Sequence, residues 1–183
     1  MSKPSEAFIL NVKFVLIAFV VIANVIEPLI DRSGILRWLY QAIFTFHIPM
    51  FVFAMGLLAK DFRLDHRGLH SLVEIAWQYV LFQTVYSLMD AALFHADGVV
   101  HSFFMPYSLL WFLFSHLCWR AMLPLFIRMK HPIIVAVGLG IAAGFLPVSG
   151  AWLSLSRTFV FLPFFLAGYS IRLDRTFQQS LRR

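Results

Sequence analysis

The sequence has few charged residues and almost no cysteine. Only 13% of its 183 residues are charged and 61% are apolar, whereas soluble domains have ~25% charged residues. A water-soluble chain could not bury that much apolar surface, so a soluble globular domain is excluded. The single cysteine, Cys118, lies in an apolar run, which excludes an intramolecular disulfide and indicates a small buried hydrophobic residue.

Motifs of soluble enzymes are also missing. The sequence has no glycine-rich phosphate loop, no Cys/His metal set, no Gly-x-Ser-x-Gly elbow and no zincin histidine pair. We therefore predict no metal site. The net charge of +6 does not indicate a nucleic-acid partner, because the cations lie in short connectors between hydrophobic runs. Any chemistry is expected to come from residues within a membrane.

Long apolar runs fill most of the chain. Runs of about 18 to 24 residues can cross a ~30 Å hydrocarbon layer as helices. About six segments have this character, the shortest of them residues 133–148: residues 8–30, 38–59, 72–94, 107–127, 133–148 and 155–171. The first has no cleavage site of small residues and is interpreted as a retained span. The sequence therefore predicts an all-α fold, a single transmembrane domain over residues 1–183 built as a polytopic helix bundle of about six spans.

The basic residues predict the orientation of these spans. If the spans alternate, Arg32, Arg37 and Arg157 fall on one side. The other side receives Lys3, Lys60, Arg63, Arg67, Arg128, Lys130, Arg172, Arg175, Arg182 and Arg183. Lysine and arginine are in excess on the cytoplasmic side of membrane proteins. We therefore expect a multi-pass protein of the cell membrane whose N- and C-termini are both cytoplasmic.

Polar side chains in the first predicted span form a stripe. Such residues are costly in lipid and usually face a neighbouring helix or a cavity. Asn24, Glu27 and Asp31 are spaced i, i+3 and i+7, so they share one face near the outer end. Lys13 projects on nearly the same face about three turns away. Alternatively, Glu27 and Asp31 simply meet the outer interface and Lys13 extends to the inner one.

The second span contains a histidine followed closely by proline, in His47-Ile48-Pro49. A proline inside a helix frees a backbone carbonyl and bends the helix. His47 could accept or donate a proton near neutral pH, as a catalytic base must. The alternative role is that of a hydrogen-bond partner between helices.

Later spans contain further polar positions. In the third span, a helical stripe is expected to join helices. It consists of Tyr79, Gln83, Tyr86 and Asp90. In the fourth, His116 and Arg120 form an i, i+4 pair, and Arg120 lies about two turns from the cytoplasmic end. Arg120 either extends to the interface or binds an anion from the inner side, for which a phosphate-bearing cofactor would be suitable.

Several stretches occur in an order and spacing that cover nearly the whole chain. They are residues 11–24; residues 46–56, which begin Phe46-His-Ile-Pro-Met-Phe; residues 110–120, with Leu110-Trp-Phe-Leu and Trp119-Arg120; and residues 155–169, which end Phe161-Leu-Pro-Phe-Phe-Leu-Ala-Gly-Tyr169. Together they resemble acyltransferase family three, the integral membrane O-acyltransferases, and especially its fucose-O-acetylase-like branch.

The resemblance implies a reaction. Similar proteins transfer an acetyl or other acyl group from cytoplasmic acyl-CoA, such as acetyl-CoA, to a hydroxyl of a sugar or cell-surface glycan. The family's first span has an arginine and, after ten intervening residues, a histidine; Lys13 and Asn24 occupy these places here. Lysine keeps the charge but lacks the bidentate fork, and asparagine forms hydrogen bonds but cannot take up a proton.

The resemblance also assigns candidate residues. His47 matches the Phe-His-x-Pro-x-Phe motif, so the candidate catalytic residues are His47, Glu27 and Asn24. The candidate substrate-binding residues are Lys13, Trp111, Arg120 and Arg157. Arg63, Arg67 or Lys130 could join Arg120 in binding the phosphates of CoA. The implied partners are the lipid bilayer, the acyl-CoA and a glycan or sugar acceptor.

The departures at Lys13 and Asn24 favour a second hypothesis. In it, the chain is a catalytically inactive or truncated paralogue that acts as a non-catalytic membrane component, either assembled with a membrane protein partner or as part of a solute pathway. Members of the family usually continue to roughly ten spans, so a chain with about six is expected to be a shortened relative.

Overall fold

The computed structural model describes residues 3–60, 62–93, 106, 110–145 and 155–171, with side chains from residue 10 onward. All regular elements in these ranges are helical. They are α1 (Lys3–Ile26), a 3-10 helix (Glu27–Arg32), α2 (Gly34–Leu58), α3 (His66–Leu93), α4 (Leu110–Phe126), α5 (Pro132–Phe145) and α6 (Leu155–Ser170). The all-α prediction is confirmed for the described residues, and each predicted span overlaps one of these α-helices.

Two helical segments are long and apolar enough to cross a membrane, judged by length and composition. They are Leu10–Arg32, which includes most of α1, and Gly34–Leu58, which is α2. Helices α4 and α5 are apolar but shorter, with 17 and 14 residues. The structure is therefore consistent with membrane association through α1 and α2. That all six helices span the bilayer, and that both termini are cytoplasmic, stay predictions.

Some sequence-based predictions concern residues outside the described part of the chain. They are the ends of three predicted spans, at residues 94, 107–109 and 146–148, the side chain of Lys3, and the C-terminal residues Arg172, Arg175, Arg182 and Arg183.

The backbone contacts divide the chain into two compact units. Unit 1 consists of Met1–Lys60 and Phe164–Arg183, and unit 2 consists of Asp61–Pro163. The second boundary lies within α6, at the proline inside that helix. The first half of α6 therefore packs in unit 2 and its second half in unit 1. The prediction of one transmembrane domain stays a prediction.

Prolines and one carboxylate mark the starts of helices. Pro28 lies in the first turn of the 3-10 helix, and Pro132 is the first residue of α5. Proline is suited to these positions because its fixed φ is helical and its missing N–H would have no partner there. At the start of α3, Oδ1 of Asp65 accepts a hydrogen bond from the backbone N–H of Gly68 at 2.9 Å. Asp65 is thus the N-cap of α3.

In unit 1, α2 packs against the second half of α6 with their backbones in close contact. An ideal Cβ at Gly56 would lie 2.0 Å from the carbonyl oxygen of Phe165, and one at Gly168 would lie 2.1 Å from that of Phe53. Only glycine permits this approach, because any side chain would overlap the opposite backbone. Helix α2 also packs against α1.

In unit 2, α3 and α4 run antiparallel. Ser71, near the start of α3, hydrogen-bonds Arg120 in the second half of α4. Further along α3, the Tyr79 ring contacts the ring of Phe114, which precedes Arg120 on α4, at 5.5 Å. The later residue of α3, Tyr79, thus contacts the earlier residue of α4, Phe114. The start of α3 therefore lies beside the end of α4.

Candidate functional site

His47 lies in the interior of unit 1, on α2. Its side chain is only 4% exposed, and Nδ1 is 2.7 Å from the carbonyl oxygen of Ile43, one turn earlier. A carbonyl oxygen can only accept a hydrogen bond, so Nδ1 is the donor. In the neutral ring Nε2 then carries the lone pair. The local geometry thus makes Nε2 the nitrogen that could take up a proton.

The helix around His47 also has an interrupted backbone hydrogen-bond pattern. Pro49 lies inside α2 and has no N–H to donate to the carbonyl oxygen of Thr45, four residues earlier. The Thr45 hydroxyl in turn donates to the carbonyl oxygen of Gln41 at 2.7 Å. The sequence-based expectation of a freed carbonyl near His47 follows directly from this position of Pro49.

Aromatic rings form a continuous row that leads to His47 along α2. The rings of Tyr40 and Phe44 have centroids 4.6 Å apart, and the rings of Phe44 and His47 are perpendicular with centroids 5.0 Å apart. Glu27, at the start of the 3-10 helix, interacts electrostatically with Tyr40. Sequence analysis missed this row, although the spacing of residues 40, 44 and 47 by four and three places them on one helical face.

The candidate residues of the first span are less enclosed than His47. Asn24 is exposed, and its Nδ2 donates to the carbonyl oxygen of Val20 in its own helix at 2.7 Å. Glu27 is exposed and Lys13 is half-buried. Within the described part of the chain, none of these three side chains is hydrogen-bonded to His47. Their expected grouping with His47 as one catalytic set stays a prediction.

The outer end of the first-span stripe is occupied by an ion pair. Oδ1 of Asp31 lies 2.9 Å from a guanidinium nitrogen of Arg37, and both side chains are largely exposed. Such exposed pairs contribute little to stability. For Asp31, this geometry fits the alternative in which the residue meets the outer interface of the membrane.

Unit 2 brings together two of the residues predicted to bind substrate. The guanidinium carbon of Arg157, at the start of α6, lies 5.3 Å from the ring centroid of Trp111 on α4. This is the distance of a cation–π contact. Trp111 is 7% exposed and stacks on Phe161 with 5.8 Å between ring centroids, whereas Arg157 is exposed. The arrangement holds an exposed cation over a buried indole ring.

A buried polar cluster fixes the start of α6 against α4. The hydroxyl oxygens of Ser115 and Thr158 lie 2.7 Å apart, and Nε1 of Trp119 donates to the carbonyl oxygen of Thr158 at 2.7 Å. All three residues are at most 1% exposed. Because Thr158 follows Arg157, this cluster also positions that cation. The i, i+4 spacing of Ser115 and Trp119 puts them on one helical face, but the sequence gives no sign of their partner on α6.

Arg120 is a half-buried cation in unit 2. One terminal guanidinium nitrogen donates to Oγ of Ser71 at 2.6 Å, and the guanidinium carbon lies 5.5 Å from the Phe62 ring centroid. Its Nε is buried without a hydrogen-bond partner. Among the described residues Arg120 forms no ion pair with a carboxylate. Its guanidinium could therefore donate to an anionic oxygen without first breaking an ion pair.

No group of three or more histidine, cysteine, aspartate or glutamate side chains in the described ranges could hold a metal ion. The described part of the chain is thus all-helical, with two helical segments that are long and apolar enough to cross a membrane. Comparison of the chain with protein-family models, with curated proteins and with solved structures finds no match.

Proposed function

We propose that the chain is a polytopic membrane protein related to acyltransferase family three and that it transfers an acyl group from acyl-CoA to a hydroxyl of a sugar or cell-surface glycan. In this proposal the six helices form a bundle in the cell membrane, with both termini in the cytoplasm. Acetyl-CoA or another acyl-CoA is the co-substrate, and no metal takes part.

The distribution of polar and apolar side chains supports the membrane part of the proposal. Large apolar residues of α1 are exposed, among them Phe14 at 74% and Val25 at 63%. Several polar side chains are instead buried. They are His47, Gln83, Ser87, Ser115, His116 and Thr158. Apolar surface outside and polar side chains inside are what a bundle needs when lipid is the solvent.

His47 is the observation that carries the catalytic part of the proposal. It lies in the stretch that matches the Phe-His-x-Pro-x-Phe motif, is buried, and directs its proton-bearing Nδ1 to a backbone carbonyl. In the proposed reaction, Nε2 takes the proton of the acceptor hydroxyl while the hydroxyl oxygen bonds to the thioester carbonyl carbon. The carbon–sulfur bond breaks, and the CoA thiolate leaves and takes up the proton.

Two cations have proposed binding roles. Arg120 is assigned to the phosphates of acyl-CoA, because its guanidinium is half-buried, free of a carboxylate partner in the described residues, and has an unpartnered Nε. Arg157 is assigned to substrate binding together with Trp111, since an indole ring that is already stacked and close to a cation offers a rigid binding surface. Lys13 is assigned to substrate binding from the resemblance alone.

A non-catalytic membrane component is the second candidate function. Asn24 occupies the family's histidine position but cannot take up a proton, and its amide is bonded to its own helix. Glu27, another candidate catalytic residue, is exposed. These observations favour a paralogue that retains the helical framework and has lost the reaction, and that could assemble with a membrane protein partner.

Acetyl transfer from radiolabelled acetyl-CoA to the glycan fraction of membranes that contain the full chain tests both functions. The native chain is compared with Asn24→His, His47→Ala and, as a matched control, His70→Ala. His70 is an exposed histidine whose Nδ1 lies 3.3 Å from a carboxylate oxygen of Glu74. We expect transfer by the native chain and by His70→Ala, and a loss of at least about a hundredfold in His47→Ala, as for removal of a general base.

Each outcome separates the hypotheses. Full transfer by His47→Ala would remove His47 from the mechanism. Transfer by Asn24→His but not by the native chain would mean that Asn24 has inactivated an acyltransferase framework. Transfer by neither would favour the non-catalytic component.

A further inference from the structure

One end of the α3–α4 pair in unit 2 collects exposed cations. Arg63 and Arg67 lie just before and within the first turn of α3, and Arg128 and Lys130 follow α4 directly. All four are exposed. Because α3 and α4 are antiparallel, the start of α3 and the end of α4 lie beside each other, as the hydrogen bond between Ser71 and Arg120 indicates. The four exposed cations, which we call the basic rim, thus belong to one end of the pair.

Two described carboxylates lie near the basic rim, and each has a contact that is not with a rim cation. Asp65 accepts a hydrogen bond from the Gly68 N–H at 2.9 Å, and Glu74 pairs with His70. None of the rim cations forms an ion pair with a described carboxylate. Asp65 contributes one negative charge against the four rim cations, so the rim keeps a net positive charge, and it lies next to Arg120, which is half-buried and likewise without a carboxylate partner in the described residues.

The backbone under the basic rim is closely packed. An ideal Cβ at Gly68 would lie 1.8 Å from the carbonyl oxygen of Arg63, so the segment before α3 folds directly onto its first turn. This contact, together with the Asp65 cap, fixes the backbone positions of Arg63 and Arg67. The spacing of the cations on α3 is thus set by the fold and not by a loose connector.

Exposed apolar side chains alternate with these cations. Leu64 and Leu69 are 55% and 54% exposed near the start of α3, and Leu125 and Ile127 are 60% and 48% exposed near the end of α4. A surface of this kind suits the boundary between lipid headgroups and acyl chains, where cations meet phosphates and apolar side chains enter the hydrocarbon. A small inorganic anion has no apolar group that could contact these exposed side chains.

We propose that the basic rim binds the headgroups of anionic phospholipids through Arg63, Arg67, Arg128 and Lys130, with Leu64, Leu69, Leu125 and Ile127 inserted beside them. Charge complementarity and the flanking apolar side chains both select a lipid surface as the partner. The proposal does not depend on acyl transfer, so it stands for an enzyme and for a non-catalytic component alike.

Native mass spectrometry of the full chain in detergent tests this proposal, with equal amounts of phosphatidylglycerol and phosphatidylcholine as probes. The native chain is expected to retain phosphatidylglycerol preferentially. The double variant Arg67→Gln/Arg128→Gln should bind it less tightly by about fivefold for each cation removed, and therefore by about 25-fold, with phosphatidylcholine binding unchanged. Elution of each variant as a single symmetric peak in size-exclusion chromatography checks that it is folded.

A charge-matched variant provides the control. Arg32→Gln/Arg37→Gln also removes two positive charges, but from unit 1. This variant should keep the native chain's preference for phosphatidylglycerol. Equal retention of the two lipids by the native chain would overturn the proposal, as would equal effects of the two double variants. Displacement of phosphatidylglycerol by millimolar inorganic phosphate would also overturn it, because the rim would then be a site for free phosphate and not for a lipid surface.

Discussion

Replacing Gly56 with alanine is expected to destabilise unit 1. Among the described glycines of that unit, only Gly168 should be as sensitive to an added methyl group. Gly56 faces the backbone of α6 without a side chain between them. The added Cβ would lie 2.0 Å from the carbonyl oxygen of Phe165, 2.9 Å from its carbonyl carbon and 3.0 Å from the backbone nitrogen of Tyr169. Because all three atoms belong to the backbone, no side-chain rotation can relieve the overlap.

The cost of this substitution follows from the required movement. Non-bonded heavy atoms rest at about 3.5–4.0 Å, so α2 and α6 would have to separate locally by roughly 1.5 Å. Over-packing of this kind costs about 1–3 kcal/mol, and here the separation would also break the reciprocal contact at Gly168. Alanine returns up to ~1 kcal/mol through its higher helix propensity. We expect a net loss of about 2 kcal/mol.

Two glycines of α5 provide matched controls. Gly138 and Gly144 have nothing within 4 Å of an ideal Cβ, so Gly138→Ala and Gly144→Ala should be neutral or stabilising by up to ~1 kcal/mol. Thermal unfolding of the full chain in detergent, followed by circular dichroism, should show a fall in Tm of about 4–8 °C for Gly56→Ala only. Unfolding of Gly56→Ala at the temperature of the controls would refute the close backbone contact.

Two further predictions concern packing and topology. Thr158→Val should destabilise the chain by about 1–3 kcal/mol because it leaves the buried Ser115 hydroxyl without its partner. The double variant with Ser115→Ala should recover part of this loss. Additive losses of the two substitutions in chemical unfolding would contradict the pairing. The orientation can be tested with Arg32→Cys and Arg63→Cys, each in a Cys118→Ser background. An impermeant maleimide added to intact cells should label Arg32→Cys and not Arg63→Cys. The reverse labelling would contradict cytoplasmic termini.

The positions of the helices could be predicted from the sequence because they depend on local properties. Long apolar runs favour helices in lipid, and connectors with charges, glycine or proline end them. The predicted span 38–59 and helix α2 (Gly34–Leu58) agree within a few residues. The largest difference is at α3, which begins at His66, six residues before the predicted span. Its first turn contains charged residues that hydropathy excludes from a span, although Asp65 is a recognisable N-cap.

The chemistry of single residues was also accessible from the sequence. The motif around His47 and Pro49 is contiguous, so its residues are neighbours in any helical fold. The sequence likewise identified Arg120 and Arg157 as cations that require an explanation, because charge within an apolar run is rare. In contrast, it could not tell which of nine glycines are indispensable. Gly56 and Gly168 differ from Gly138 only in what lies opposite them.

By itself, the sequence determined an all-helical chain with most of its apolar surface outside, because hydropathy and helical periodicity act over a few turns. The tertiary structure alone decided which distant side chains meet. Ser115 and Thr158 are 43 residues apart, and Arg120 and Ser71 are 49 residues apart. A single helix can satisfy its backbone but not these side chains, so their partners depend on how helices pack, and packing depends on close complementarity of surfaces that no local pattern encodes.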